Sequence, residues 1–135
     1  MDFLFNFSGV VVKGNQLGRT IGFPTANIAT AGKDIFAGPN GVYAVSVVVK
    51  NCLLYGMANV GFRPTLGENR FTVEINIFNF SDTIYGEYLS VNFLSFIREE
   101  RKFENLEKLK EQIGKDKISV RNVLSELMKP DSGTQ

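Results

Sequence analysis

Gly41-Val42-Tyr43-Ala44-Val45-Ser46-Val47-Val48-Val49-Lys50 is the stretch that decides the fold class. It is dense in β-branched residues, which suit a pleated backbone. Both parities are apolar, as expected of a strand covered on its two sides. Asn51-Cys52 reads as a tight turn, and residues 53–62 read as the returning hairpin partner. Gly56 and Gly61 within that partner mark bulges or close backbone approach. Arg63-Pro64-Thr65-Leu66-Gly67-Glu68-Asn69 then reads as a closing loop.

Working outward, residues 70–80 form the next strand. Val73, Ile75 and Ile77 share one face, and Thr72, Glu74 and Asn76 share the other. Residues 87–97 repeat the pattern, with Leu89, Val91 and Phe93 alternating with Ser90 and Asn92. Upstream, residues 7–13 read as a first strand and residues 25–28 as a short one. Residues 30–40 hold Gly32, Gly38 and Pro39 and read as either a plain connection or a flap. Downstream the period changes. Asn105 can cap a helix with Leu106, Leu109 and Ile113 on one stripe, stopped at Gly114. Asp116 can cap a second, with Val120, Val123, Leu124, Leu127 and Met128 on one face. Pro130 ends it, and a disordered tail is expected over residues 130–135. Six short strands followed by one or two helices predict a mainly β domain over residues 1–129, built as a closed antiparallel barrel.

The chain has 135 residues, enough for one domain that buries about two-thirds of its unfolded surface. Its net charge of +1 offers no electrostatic footprint for duplex nucleic acid or an anionic membrane. No apolar run approaches the ~20 residues of a membrane-spanning helix, and no basic-then-apolar leader opens the chain. A single cysteine, Cys52, excludes an internal disulfide and fits a reducing, cytoplasmic setting. There is no histidine, which rules out Ser-His-Asp and Cys-His catalysis and the usual histidine metal sites. Proton transfer must then fall to carboxylates, Lys, Tyr or the lone Cys.

Gly14-Asn15-Gln16-Leu17-Gly18-Arg19-Thr20-Ile21-Gly22-Phe23-Pro24-Thr25-Ala26-Asn27 concentrates the chemistry. Glycines let backbone N–H groups approach a bulky anion, and Arg19 adds a planar cation suited to phosphate. Pro24 favours an extended start to the following strand, on which Thr25 and Asn27 point the same way. Two hard oxygens side by side make a seat for Mg²⁺ carrying a nucleotide. The stretch is not a Walker A loop, since Gly14 and Gly18 are too close and Arg-Thr replaces Lys-Ser/Thr. On spacing alone an ordinary surface hairpin with turn glycines is the favoured reading.

Together these motifs resemble riboflavin kinases. The likeness runs from Gly-x-x-x-Gly-Arg-Thr-x-Gly-Phe-Pro-Thr-Ala-Asn through Gly41-Val42-Tyr43-Ala44-Val45 to Ala58-Asn59-Val60-Gly61-Phe62-Arg63-Pro64-Thr65. It continues through Val73-Glu74-Ile75-Asn76-Ile77-Phe78-Asn79-Phe80, Tyr85-Gly86-Glu87, Phe96-Ile97-Arg98 and Lys102-Phe103-x-Asn105-Leu106. It is nearest to the C-terminal kinase module of bacterial bifunctional riboflavin kinase/FAD synthetases. The resemblance implies a six-stranded Greek-key barrel with a C-terminal helix. It also implies transfer of the ATP γ-phosphate to the ribityl 5′-hydroxyl of riboflavin, giving FMN and ADP. A covalently linked adenylyltransferase module is an implied partner in a longer natural protein. Without histidine, no FMN-to-FAD activity is expected of this chain.

Carried over by resemblance, Thr25 binds Mg²⁺ through its hydroxyl, with Asn27 supporting metal and phosphates. Gly14, Gly18 and Arg19 line the nucleotide, with Asn79 and Tyr85 near its adenine or ribose. Glu74 becomes the base that accepts the alcohol's proton, although alternation alone makes it only a solvent-facing strand glutamate. Arg98, Arg101 and Phe103 fall where relatives contact the flavin. Asn79 shares parity with Ile75 rather than Glu74, so either a bulge intervenes or Asn79 acts through its backbone at the strand's end. Two competing functions are a non-catalytic flavin- or nucleotide-binding barrel and an OB-like nucleic-acid barrel. Neutral charge and the lack of a basic, aromatic-studded face count against the second.

Overall fold

A computed structural model describes residues 3–13, 25–30, 38–65, 68–80 and 82–129. The expectations for Gly14, Gly18, Arg19, most of residues 30–40 and the 130–135 tail lie outside the described residues. Among the described residues, six strands precede one helix: β1 (Phe5–Val12), β2 (Ala26–Ile28), β3 (Gly41–Val49), β4 (Cys52–Thr65), β5 (Glu68–Ile77), β6 (Tyr88–Glu99) and α1 (Leu106–Leu127). The strands close into a barrel in the order β1-β2-β5-β4-β3-β6. Every neighbouring pair is antiparallel. With β2 beside β5 and β6 between β1 and β3, the order is non-sequential in the manner of a Greek key. Closure gives every strand a neighbour on both sides over part of its length, and the mainly β barrel expected from the sequence is the fold found.

Alternation fills the barrel. Val45, Val47, Val60, Val73, Ile75, Leu89, Val91 and Phe93 point inward and are fully buried. Tyr43 sits among them, edge-on to Phe93 at 5.1 Å and to Phe5 at 5.8 Å. Its hydroxyl donates to the Pro39 carbonyl, and burial pushes the phenol above its usual pKa. The outward parity of β3 is also covered for most of its length. Ala44 lies under α1 with Met57, Phe78 and Leu94, against Val120 and Leu124 of the helix. The double-sided apolar pattern of β3 thus reflects barrel core on one side and helix on the other.

Local readings shift in three places. The β3–β4 turn is Lys50-Asn51, both at positive φ (50° and 64°), and Cys52 already pairs with Val49. That is the two-residue hairpin whose twist matches its strands. Residues 63–65 and 68–69, expected as loop, extend the β4–β5 ladder to Thr65↔Glu68. Beyond Val60, β4 is paired on one side only, which leaves room for Pro64 and its missing N–H. The helix does not stop at Gly114 and restart at Asp116. It runs unbroken for 22 residues, capped by the Asn105 side chain accepting from the Lys108 N–H at 2.9 Å. An interior glycine costs only about 1 kcal/mol, and Asp116 is engaged elsewhere. Gly56 and Gly61 mark close approach: added Cβ atoms would collide with the Asn76 carbonyl and the Glu100 carboxylate respectively. Among the described residues, no helix is long and apolar enough to cross a membrane.

Candidate active site

The outward side of the same strands carries the polar residues. On β2, Ala26 and Ile28 enter the core, so Asn27 faces away from it, half-buried. On β5, Val73 and Ile75 do the same for Glu74. The register sets Asn27 directly opposite Glu74, and Glu74 opposite Asn59 on its other side. Asn59 is paired with Val42, and Val42 with Arg98. One cross-strand row therefore reads Asn27, Glu74, Asn59, Val42, Arg98 across five strands. Neighbouring strands lie about 4.8 Å apart, so Glu74 is one step from Asn27 and three steps, roughly 14 Å, from Arg98.

Thr25, half-buried, precedes β2 on the parity of Asn27. It lines a cleft at the barrel's end with Val11, Ile77, Phe80, Ile84 and Tyr85. Thr25 and Tyr85 are thus brought together, but Asn79 is not. β5 ends at Ile77, and Asn79 occupies the following turn, exposed, at φ 57°. It lines a different groove, with Leu53, Arg121, Leu124 and Met128. The parity conflict noted for Asn79 dissolves because the strand is over before that residue.

At the far end of the row, Arg98, Arg101 and Phe103 also come together. The Arg98 guanidinium makes a bidentate pair with Asp116 of α1, Nε to Oδ1 at 2.8 Å and Nη2 to Oδ2 at 2.7 Å. Its Nη1 donates to the Glu99 carbonyl at 2.9 Å, and its carbon lies 5.9 Å from the Phe103 ring centre. Arg101 donates to Gln112 Oε1 at 3.0 Å, while Gln112 Nε2 donates to Asp116 Oδ1 at 2.9 Å. The end of β6, through Arg98, and the segment joining it to α1, through Arg101, are therefore each tied to the helix.

Three residues of this region were not read from the sequence as part of the site. Asn59 depends on register between strands, which no local pattern reveals. Gln112 is an ordinary helix residue until its neighbours are known. Asp116 did carry a signal: it lies four residues before Val120, on the apolar stripe, where a carboxylate needs a cation.

Thr25 and Asn27 offer a hydroxyl and an amide oxygen on one side of the strand. Among the described residues no group of three or more His, Cys, Asp or Glu could hold a metal. A site of two neutral oxygens suits a hard ion that keeps its waters and arrives with phosphates. The donor set fits Mg²⁺ in that role.

Comparison with known proteins identifies a family. The family model for flavokinase, riboflavin kinase, matches residues 1–124. A bifunctional riboflavin kinase/FMN adenylyltransferase of Bacillus subtilis is 40% identical over 124 residues, 90% of this chain and 39% of that protein. An RNA-binding riboflavin kinase of the same organism is 47% identical over 110 residues, 81% of this chain and 46% of that protein. The crystal structure of riboflavin kinase from Trypanosoma brucei shares the fold with TM-score 0.63 at 25% identity, covering 94% of this chain and 88% of that one. The chain spans less than half the length of the two bacterial relatives.

Proposed function

The chain belongs to the riboflavin kinase family, and from that premise we propose that it transfers the γ-phosphate of ATP to the ribityl 5′-hydroxyl of riboflavin. The P–O bond to ADP breaks as the bond to the 5′-oxygen forms, the hydroxyl proton passes to Glu74, and FMN and ADP leave. The observation that carries this reading is the pairing of Asn27 with Glu74 on the barrel's outer side. That pairing supports a reading in which Glu74 is the base and Asn27, beside it, belongs to the metal seat.

Phosphoryl transfer asks a protein chiefly for alignment and for relief of spread negative charge. Thr25 and Asn27 would hold Mg²⁺, which when bound neutralises charge on the ATP phosphates. Tyr85 and Phe80 close the cleft over the nucleotide. Gly14, Gly18 and Arg19 complete the phosphate side in this proposal, and Asn79 contributes at most from its turn. The flavin lies along the row, its ring against Arg98, Arg101 and Phe103 and its ribityl chain running over Asn59 towards Glu74. The roughly 14 Å between the two ends suits a molecule with a flat head and an extended polyol tail. We assign the whole of residues 1–129 to this one activity and a cytoplasmic setting. Where the chain is part of a longer protein, a linked adenylyltransferase domain is the partner that the bifunctional relatives suggest, and no FMN-to-FAD step is assigned to this barrel.

Incubation with riboflavin and Mg-ATP, followed by chromatographic separation of riboflavin from FMN, tests the reading. FMN formation dependent on both ATP and metal is expected. Flavin binding without FMN would leave only a binding barrel, and neither binding nor product would end the proposal.

A further inference from the structure

We infer that Asp116 is a positioning residue for the flavin side of the site, an inference that rests on the function proposed above. Asp116 is 3% exposed in the middle of α1 and accepts both arms of the Arg98 fork as well as the Gln112 amide. Through Gln112 it reaches Arg101, and through the plane of Arg98 it reaches Phe103. All three flavin-side residues are thereby linked to one buried carboxylate.

Stability alone explains this arrangement poorly. A buried ion pair is seldom worth more than apolar residues of the same volume. The helix also has its own apolar anchorage, Val120 and Leu124 against Ala44, Met57 and Leu94. What the pair supplies is direction. A bidentate carboxylate fixes the plane of a guanidinium, whereas an apolar neighbour or a point charge would not. The guanidinium carbon of Arg98 lies 5.9 Å from the centre of the Phe103 ring, and the Arg101 tether limits where residues 100–105 can go. Arg98 stands in the same row as Glu74. The setting of this corner therefore fixes how far the polyol's end lies from the base, and a misplacement of about 1 Å can cost 10²-fold in rate.

The test is Asp116→Asn, which keeps size but not charge, assayed on folded protein confirmed by circular dichroism. Half-saturating riboflavin is expected to rise about tenfold or more while that for Mg-ATP stays within about twofold. Riboflavin fluorescence titration without ATP should weaken in parallel, a readout independent of turnover. Asp116→Glu, which can still meet the fork, should recover most of the loss. A purely structural role would instead lower melting temperature and active fraction without separating the two substrates. If Asp116→Asn fails to fold, Gln112→Ala decides: it unhooks Arg101 without burying an unpaired charge, and riboflavin half-saturation should rise about threefold. A folded variant of either kind with unchanged riboflavin dependence overturns the inference while leaving the kinase reading intact. Absence of FMN formation by the unsubstituted protein overturns both.

Discussion

The inner and outer sides of β5 differ completely although they share one backbone. Inward, Val73 and Ile75 are wholly buried and continuous with the core; outward, Glu74 stands between Asn27 and Asn59 of the neighbouring strands, with Thr72 and Asn76 on the same parity of its own strand. A slip of one residue would exchange the two sets. The fold and the chemistry are thus written on alternate residues of one strand, and a substitution should injure one without the other.

The largest expected effect is on the outer side. Glu74→Gln keeps shape and removes the proton acceptor, so turnover should fall by roughly 10²-fold or more. Riboflavin affinity and melting temperature should stay near those of the unsubstituted protein. Near-normal turnover would remove Glu74 from the mechanism. Its inner neighbour should behave in the opposite way. Val73 is fully buried and away from the cleft that Thr25 lines, so Val73→Ala opens a cavity in the core, and about 2 kcal/mol or more of stability should be lost in urea unfolding. Activity per folded molecule at low temperature should survive. Were Val73→Ala to abolish activity while leaving unfolding unchanged, the separation of the two sides would be wrong.

How much of this was legible in the sequence follows from the range of each signal. Alternation within 70–80 is local, so the two sides of β5 could be read directly, as could the cap at Asn105. The meeting of Asn27 with Glu74 depends on pairing across a long stretch of chain. Composition cannot supply that, and only the family resemblance suggested it. The helix break expected at Gly114 failed for a related reason. Gly and Asp are local stop and cap signals, but Val120 and Leu124 on the barrel and Arg98 beneath Asp116 outweigh them. Asn79 was ambiguous only because the end of β5 was placed too late.

A smaller effect is expected at the cleft end of the row. Thr25→Ala removes one of two proposed metal-facing oxygens while the strand and Asn27 remain. Half-saturating Mg-ATP should rise about tenfold, and the divalent-ion requirement should shift upward with it, riboflavin saturation being little changed. If neither ATP saturation nor metal dependence moves, the assignment of Thr25 fails, whereas Glu74 keeps its role.

The smallest effect lies inside the barrel, where one polar atom interrupts the rule that inward means apolar. Tyr43 is fully buried, its hydroxyl donates to the Pro39 carbonyl, and its pKa is raised by desolvation above the ordinary value of about 10. In the unfolded chain the phenol ionises near that ordinary value; in the folded chain it holds its proton to higher pH. The folded state therefore binds more protons between the two values, and stability present below about pH 10 is lost as pH rises towards the folded pKa. Tyr43→Phe removes the hydrogen bond and should cost about 1 kcal/mol at neutral pH. It also removes the ionisable group, so its unfolding free energy should fall less steeply above about pH 10. Urea titrations at pH 7 to 11 should show the two curves converging on the alkaline side. A gap that stays constant through that range would mean that Tyr43 carries no proton linkage and contributes through its hydrogen bond to Pro39 alone.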